Sequence, residues 1–281
     1  MEEGAFRGFD IAMHDPGIAV ITLNRPERMN GLTFAIKRDL METLLEAQMD
    51  DSVRVVLIAG SGKAFSAGDD ISDKPAAYHG KVRSGDVPEG RRSGIRTYGG
   101  MRTFSQRLNA TVRQFDKLTI AAINGFAIQS GLSLALACDF RIAATDAKLG
   151  SATLRFGYQP DEGGHWLLVR HIGVARTLDF LMNKRIVSAQ EALAMGLVND
   201  VVAPEQLMER SMAMAKELAE GPQVAMRLLK RAVYNAADYT FEQAGDDIAS
   251  KTAISDHHED AVEGRASFRS HEKPKFNKWL P

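Results

Sequence analysis

One cysteine, Cys138, stands among 281 residues. A single thiol closes no intrachain disulfide, so packing must hold the fold, and a reducing cytoplasm is the expected compartment. Cys138 ends the apolar run 132–138 and reads as a small buried hydrophobe rather than as a nucleophile. Charge of one sign is equally scarce: 35 Lys and Arg face 36 Asp and Glu, for a net charge of −1. That balance attracts no nucleic acid, and there is no basic stripe interleaved with aromatics. No apolar run is long enough to span a bilayer, and Met1-Glu2-Glu3-Gly4 is acidic where a signal peptide is basic. We therefore expect a soluble cytoplasmic protein without nucleic-acid or membrane partners. His257-His258 before Glu259-Asp260 hints at a metal. Neighbouring histidines on a helix diverge, so a solvated face and no metal site are expected there.

Apolar residues make up 44% of the chain and charged residues 25%, which suits a globular protein with a substantial core. Residues 18–23 alternate as a strand and run into Asn24-Arg25-Pro26, a turn signal. Leu32, Ile36, Leu40 and Leu44, with Met41 and Leu45, recur at helical spacing. Residues 53–59 are almost continuously apolar, the mark of a parallel strand covered on both faces. Residues 119–123 and 130–138 repeat the strand-then-helix order, and 140–143 predicts another strand. This alternation implies an α/β architecture with right-handed crossovers. Ser188-Ala189-Gln190-Glu191 is a capping box before a short helix that stops at Gly196. Beyond Pro204 the pattern is helical over 207–219, 224–237 and 241–254. The expected organisation is an α/β core over 1–200 and a helical region over 201–281.

Two stretches of small residues each follow a β-branched apolar run: Ala64-Phe65-Ser66-Ala67-Gly68-Asp69-Asp70 and Asn124-Gly125-Phe126-Ala127-Ile128-Gln129-Ser130-Gly131. Small residues let a backbone come close to a ligand and present its N–H groups. Two such groups converging on one oxygen stabilise the enolate of a thioester.

These stretches resemble the crotonase superfamily, the enoyl-CoA hydratase/isomerase family, across nearly the whole chain. Asn24-Arg25-Pro26-Glu27-Arg28-Met29-Asn30, the sequence from Ala192 to Gly196-Leu197-Val198, and Glu263-Gly264 with Phe268 and Lys273-Pro274-Lys275-Phe276 extend the likeness. The resemblance implies a repeated ββα spiral core, a C-terminal helical trimerisation region, and a homotrimer or dimer of trimers. It implies an acyl-CoA thioester as substrate and no cofactor beyond that CoA. It assigns the oxyanion hole to the backbone N–H groups of Asp69 and Ser130, with the helix from Ser130 adding its positive end. It assigns substrate-binding segments at Arg28, Asn30, Ser66, Ala67, Gly68, Asp70 and Gly131, and contributions from a neighbouring subunit at Phe268 and Lys273. In this family the segment 74–105 shapes the acyl pocket. Here residues 74–102 carry Lys74, Lys81, Arg83, Arg91, Arg92, Arg96 and Arg102 among Gly, Ser and Pro. They read either as a solvated loop or as a loop over a phosphate-bearing ligand.

At two positions the chain departs from the hydratase pattern. Aligned through Gly131 and Asp139, the first hydratase glutamate position holds Ser133; aligned through Gly150, Gly157 and Pro160, the second holds Thr153. Family-type hydration needs two carboxylates sharing a water, and a hydroxyl of ordinary pKa does not replace a carboxylate base. Plain hydration is therefore disfavoured, and Ser133 and Thr153 are expected to line the pocket. Pro160-Asp161-Glu162-Gly163-Gly164-His165-Trp166 follows, and the resemblance gives a catalytic aspartate at Asp161. One carboxylate suffices to isomerise a 3-enoyl thioester, and an apolar pocket of Phe156, Tyr158 and Trp166 is expected to raise its pKa. Glu162 is the second candidate; helix capping is the structural alternative for both acids, and His165 reads as a rim residue. Two further readings stay open: a hydratase or carbon–carbon hydrolase using Asp161 or Glu162 to activate water, and a CoA-binding oligomer scaffold without chemistry.

Overall fold

The computed structural model describes residues 1–71, 80–85 and 93–281; Lys74, Arg91 and Arg92 lie outside them. The chain opens with β1 (Gly4–Phe6), β2 (Phe9–His14) and β3 (Ile18–Leu23), then α1 (Phe34–Met49), β4 (Val55–Gly60) and β5 (Ala64–Ser66). Next come α2 (Gly94–Gly100), a π-helical turn over Met101–Ser105, and α3 (Gln106–Gln114). These lead to β6 (Leu118–Ile123), β7 (Phe126–Ile128), α4 (Ser130–Ala137), β8 (Phe140–Ala144), β9 (Lys148–Gly150) and α5 (Gly164–Met182). The remainder is β10 (Ile186–Ser188), α6 (Ala189–Met195), β11 (Asp200–Val202), α7 (Leu207–Glu220), α8 (Gln223–Ala236), α9 (Phe241–Ser255) and α10 (Glu259–Ser270).

The strands divide between two sheets. One has the order β1-β2-β3-β4-β6-β8-β11, antiparallel at its β1–β3 end and parallel from β3 onward. The other has the order β10-β9-β7-β5. Successive strands pass from the first sheet to the second: β4 then β5, β6 then β7, β8 then β9. This is the ββα spiral that the resemblance implies. Every residue of β6 is buried, as is every residue of β4 but its terminal glycine, in keeping with their unbroken apolar sequences. α7 packs across β4, β6 and β8 with Leu207, Ala215 and Ala219 in the core, so part of the 201–281 region completes the sheet's cover. The capping box at Ser188 and the left-handed stop at Gly196 form as the sequence predicts. No helix among the described residues is long and apolar enough to cross a membrane.

The histidine pair differs from expectation. His258 does not lie on a helix face; it is the N-cap of α10, accepting from the Asp260 N–H and meeting Trp279 edge-on. An imidazole nitrogen acts there as a side-chain cap, a role that the residue pair alone does not announce.

A buried ionic knot ties α8 to the parallel sheet. Asp139, between α4 and β8, accepts at Oδ2 from the Thr119 N–H (2.8 Å), the Thr119 hydroxyl (2.9 Å) and Lys230 Nζ (2.7 Å). Its Oδ1 accepts from the Tyr234 hydroxyl at 2.6 Å. Removing the charge from one side leaves Lys230 buried without its counter-ion. Asp139→Asn should therefore cost about 3–5 kcal/mol in denaturant unfolding. An unchanged midpoint would mean that Lys230 reaches another acceptor.

Candidate active site

The first small-residue stretch is clamped by the Asn-Arg-Pro turn. Pro26–Arg28 forms one 3₁₀ turn, after which Met29 and Asn30 take left-handed φ values of 51° and 55°. In that pose Asn30 accepts from the Arg25 N–H (2.8 Å) and donates to the carbonyls of Ser61 (2.9 Å) and Ala64 (2.7 Å). Ser66 Oγ donates to the Asn30 carbonyl (2.8 Å) and accepts from the Gly68 N–H (3.2 Å). Both side chains thus hold the loop, and what the loop offers a ligand is backbone. Ala67 N–H bonds Met29 O and Leu32 N–H bonds Gly68 O, which fixes the path up to Asp69. Asp70 is paired with buried Arg25 at 3.0 Å, and Arg28 is half-buried beside them.

The second stretch reaches this loop because two glycines allow it. A Cβ on Gly131 would stand 2.2 Å from the Ser66 carbonyl oxygen. Gly68 has φ +101°, and a Cβ there would meet Ile128 O and Gln129 Cβ at 3.0 Å and the Ser130 nitrogen at 3.5 Å. Between them Gln129 has φ 53° and ψ −117°, a strained conformation for a side-chain-bearing residue. It is held from four directions. Its N–H bonds Gly150 O and its carbonyl accepts from the Ser133 N–H, both at 2.9 Å. Its Oε1 accepts from Ser151 Oγ at 2.9 Å, and its Nε2 donates to Glu162 Oε2 at 3.1 Å.

The side chains of Asp69 and Ser130 are themselves joined. Ser130 Oγ donates to Asp69 Oδ1 at 2.6 Å, and Lys37 Nζ donates to the same oxygen at 2.7 Å. Lys37 is 1% exposed and also bonds Ser105 Oγ of the π-helical turn at 2.7 Å. Its ammonium lies against the Asp69 carboxylate and offsets its charge. Among the described residues no acceptor takes the N–H of Asp69 or of Ser130. Sequence reading missed Lys37; the available signal was a lysine set between Ile36 and Leu40 on the apolar stripe of α1.

Asp161 and Glu162 part company. Asp161 is exposed, with its carbonyl held by Gln106 Nε2 at 2.9 Å. Glu162 is 1% exposed; Ser133 Oγ donates to its Oε1 at 2.7 Å, and Asn109 Nδ2 to its carbonyl at 2.9 Å. Burial pushes the Glu162 carboxyl up to about 7, with the Asp161 and Asp69 charges adding to the rise and the Ser133 bond opposing it. α5 begins at Gly164 behind a glycine N-cap, so neither acid caps it, because the Glu162 carboxylate turns to Ser133 and Gln129 instead. The apolar pocket is also corrected: Phe156 and Tyr158 are 65% and 68% exposed, and of the three aromatics Trp166 lines a cavity beside Glu162. Thr153 Oγ1 is buried with no hydrogen-bond partner among the described residues.

Other candidates lie apart from this cluster. Lys81 pairs with Glu2 and Arg83 with Glu46, which draws those two charges to the α1 side and away from a role over phosphates. Arg96 and Arg102 are exposed on α2 and the π-helical turn. Phe268 on α10 is 83% exposed, and Lys273 pairs with Glu220 at 2.8 Å. Cys138 is buried with its thiol pushed up to about 12 by that burial, which removes it as a nucleophile.

The enoyl-CoA hydratase/isomerase family model matches residues 14–279, and the chain belongs to that family of enzymes. The chain is 32% identical to the 1,2-epoxyphenylacetyl-CoA isomerase of Escherichia coli over 271 residues, 95% of this chain and 98% of that protein. It is 32% identical to a probable enoyl-CoA hydratase of Bacillus subtilis, over 93% of this chain and 96% of the relative. The crystal structure of enoyl-CoA hydratase from Bacillus anthracis superposes with a TM-score of 0.85 at 31% identity, covering 96% of this chain and 99% of that chain. The fold is the crotonase fold, and the names of its sequence relatives include both a hydratase and an isomerase.

The raised Glu162 carboxyl ties stability to pH. Between its ordinary value of 4.5 and about 7 the unfolded chain has lost this proton while the folded chain keeps it. Folded-state stability therefore falls as pH rises through that window, by up to about 1.4 kcal/mol per unit, and levels off above it. Glu162→Gln should flatten that slope in urea titrations run at stepped pH. A slope identical in the variant would assign the pH dependence to other groups.

Proposed function

We propose that the chain isomerises the double bond of an enoyl-CoA thioester through an enolate held by the Asp69 and Ser130 N–H groups. The thioester oxygen accepts from both, and the first turn of α4 adds its positive end. A carboxylate takes a proton from C2 of a 3-enoyl group, the electrons spread over the dienolate, and the proton returns at C4. The double bond then lies between C2 and C3, conjugated with the carbonyl, and no atom is gained or lost.

One observation carries this reading. The hydratase glutamate position on α4 holds Ser133, and its hydroxyl is bonded to Glu162. Among the described residues, apart from Asp69, which Lys37 balances, the carboxylates of the site come from a single segment, Asp161-Glu162. A single proton-carrying segment fits a transfer from one carbon to another better than the placement of a water between two acids. Asp161 is the base in this proposal, being exposed where a ligand can reach it. Glu162 is a rival for that role because its burial tunes it near neutrality, where a proton carrier works best. Hydration remains the second reading, favoured by the names of several relatives.

Conjugated thioesters absorb in the ultraviolet, so one assay separates these readings. With 3-enoyl-CoA substrates absorbance should rise, and Asp161→Asn should lower kcat by about 10²–10⁴ while leaving KM within a few-fold. A loss confined to Glu162→Gln would move the base to Glu162. Bleaching of 2-enoyl-CoA with solvent oxygen in the product would make the enzyme a hydratase.

A further inference from the structure

Glu162 lines a cavity of about 640 Å³ between α3, the start of α5 and α8. Its carboxylate also accepts from Ser133 Oγ and Gln129 Nε2, side chains that flank Ser130 in sequence, so the cavity adjoins the segment to which the proposal above assigns the oxyanion. The walls carry Gln106 and Arg113 of α3, Trp166 of α5 and Tyr234 of α8.

Arg113 is the unusual member. Its guanidinium lies 4.7 Å from the Trp166 ring centre and 4.0 Å from that of Tyr234. It is half-buried, and among the described residues it has no hydrogen bond or ion pair. Neighbouring charges are taken up elsewhere. Asp238 pairs with Arg170, Arg231 with Asp116, and Asp139 with Lys230. Ring contacts satisfy the cation–π attraction but none of the five N–H donors of the guanidinium. An alkyl chain in the cavity would leave those donors dry, at a cost of desolvation. A carboxylate matches them in a planar, bidentate fashion. Arg113 follows Gln106 by seven residues, about 10 Å along α3, so the matching group sits at the far end of a medium-length chain.

We propose that this cavity receives the distal end of the acyl group and that Arg113 selects acyl-CoA thioesters whose far end carries a carboxylate. The inference rests on the thioester reading above. CoA itself also carries anions, as phosphates, so the test must separate the two sources.

Calorimetric binding of octanoyl-CoA, its ω-carboxy analogue and free CoA does so without requiring turnover. The carboxylate-ended thioester should bind about tenfold or more tighter than octanoyl-CoA. Arg113→Met should abolish that preference while leaving octanoyl-CoA and free CoA unchanged, and Arg113→Lys should restore part of it. Equal affinity for the matched pair in the native enzyme overturns the carboxylate inference and leaves the thioester reading intact. A variant that weakens free CoA equally assigns Arg113 to a phosphate and overturns it as well. Absence of binding by any thioester overturns both. Melting curves of both variants, compared with the native enzyme, exclude misfolding as the cause.

Discussion

The oxygen Oδ1 of Asp69 is the point on which the site is built. Two donors from different parts of the chain meet there: Ser130 from the head of α4 and Lys37 from the first turn of α1. Backbone N–H groups are useful to an oxyanion only if their separation is fixed before the ligand arrives. Most of that fixing comes from glycines, which let Gly131 approach the Ser66 carbonyl and Gly68 approach Ile128. The Asp69–Ser130 bond adds a direct tie between the two residues whose N–H groups face the ligand in our proposal. It carries an electrostatic hazard, a carboxylate at the place where negative charge would develop. Lys37 removes the hazard, and its burial keeps the pair in a medium where the attraction is weakly screened.

A second layer supports the first. Gln129 holds a backbone conformation that costs on the order of 1–3 kcal/mol for a residue with a side chain. The surrounding structure over-determines it, through β9, Ser151 and Glu162. Glu162 is therefore an architectural group as well as a titrating one. Its ionised form is the better acceptor for Gln129 and Ser133, and its neutral form is the one that burial favours. The value near 7 reflects that competition, with desolvation the largest of the contributions.

Much of this was legible in the sequence. The buried strands declared themselves as unbroken apolar runs, α6 by its capping box, and the helical C-terminal part by its periodicity. Strands β5, β7, β9, β10 and β11 are three residues each, too short for an alternating pattern to register. The two small-residue stretches pointed to the facing loops, because glycine at a close approach leaves a compositional trace. Lys37 and Gln129 left a weaker one: their importance lies in what they touch across 32 and 33 residues of chain, to Asp69 and Glu162. Burial divided Asp161 from Glu162, and no local pattern distinguishes an exposed acid from a buried neighbour when both precede a helix.

Two carboxylates of the candidate site meet different partners. Asp69 lies against the buried ammonium of Lys37 at 2.7 Å, a cation that offsets its charge. Among the described residues Glu162 has no cation against it; hydrogen bonds from a hydroxyl and an amide stabilise its charge only partly, so it keeps its proton into the neutral range. A hydratase site needs two acids in complementary states sharing one water. Here the hydroxyl at Ser133 is turned to Glu162. The substitution at Ser133 is thus matched by a carboxyl brought in from the next segment. In our proposal the exposed Asp161 beside that buried carboxyl carries the proton, and a site so arranged suits moving a proton along the acyl chain better than holding a water between two acids.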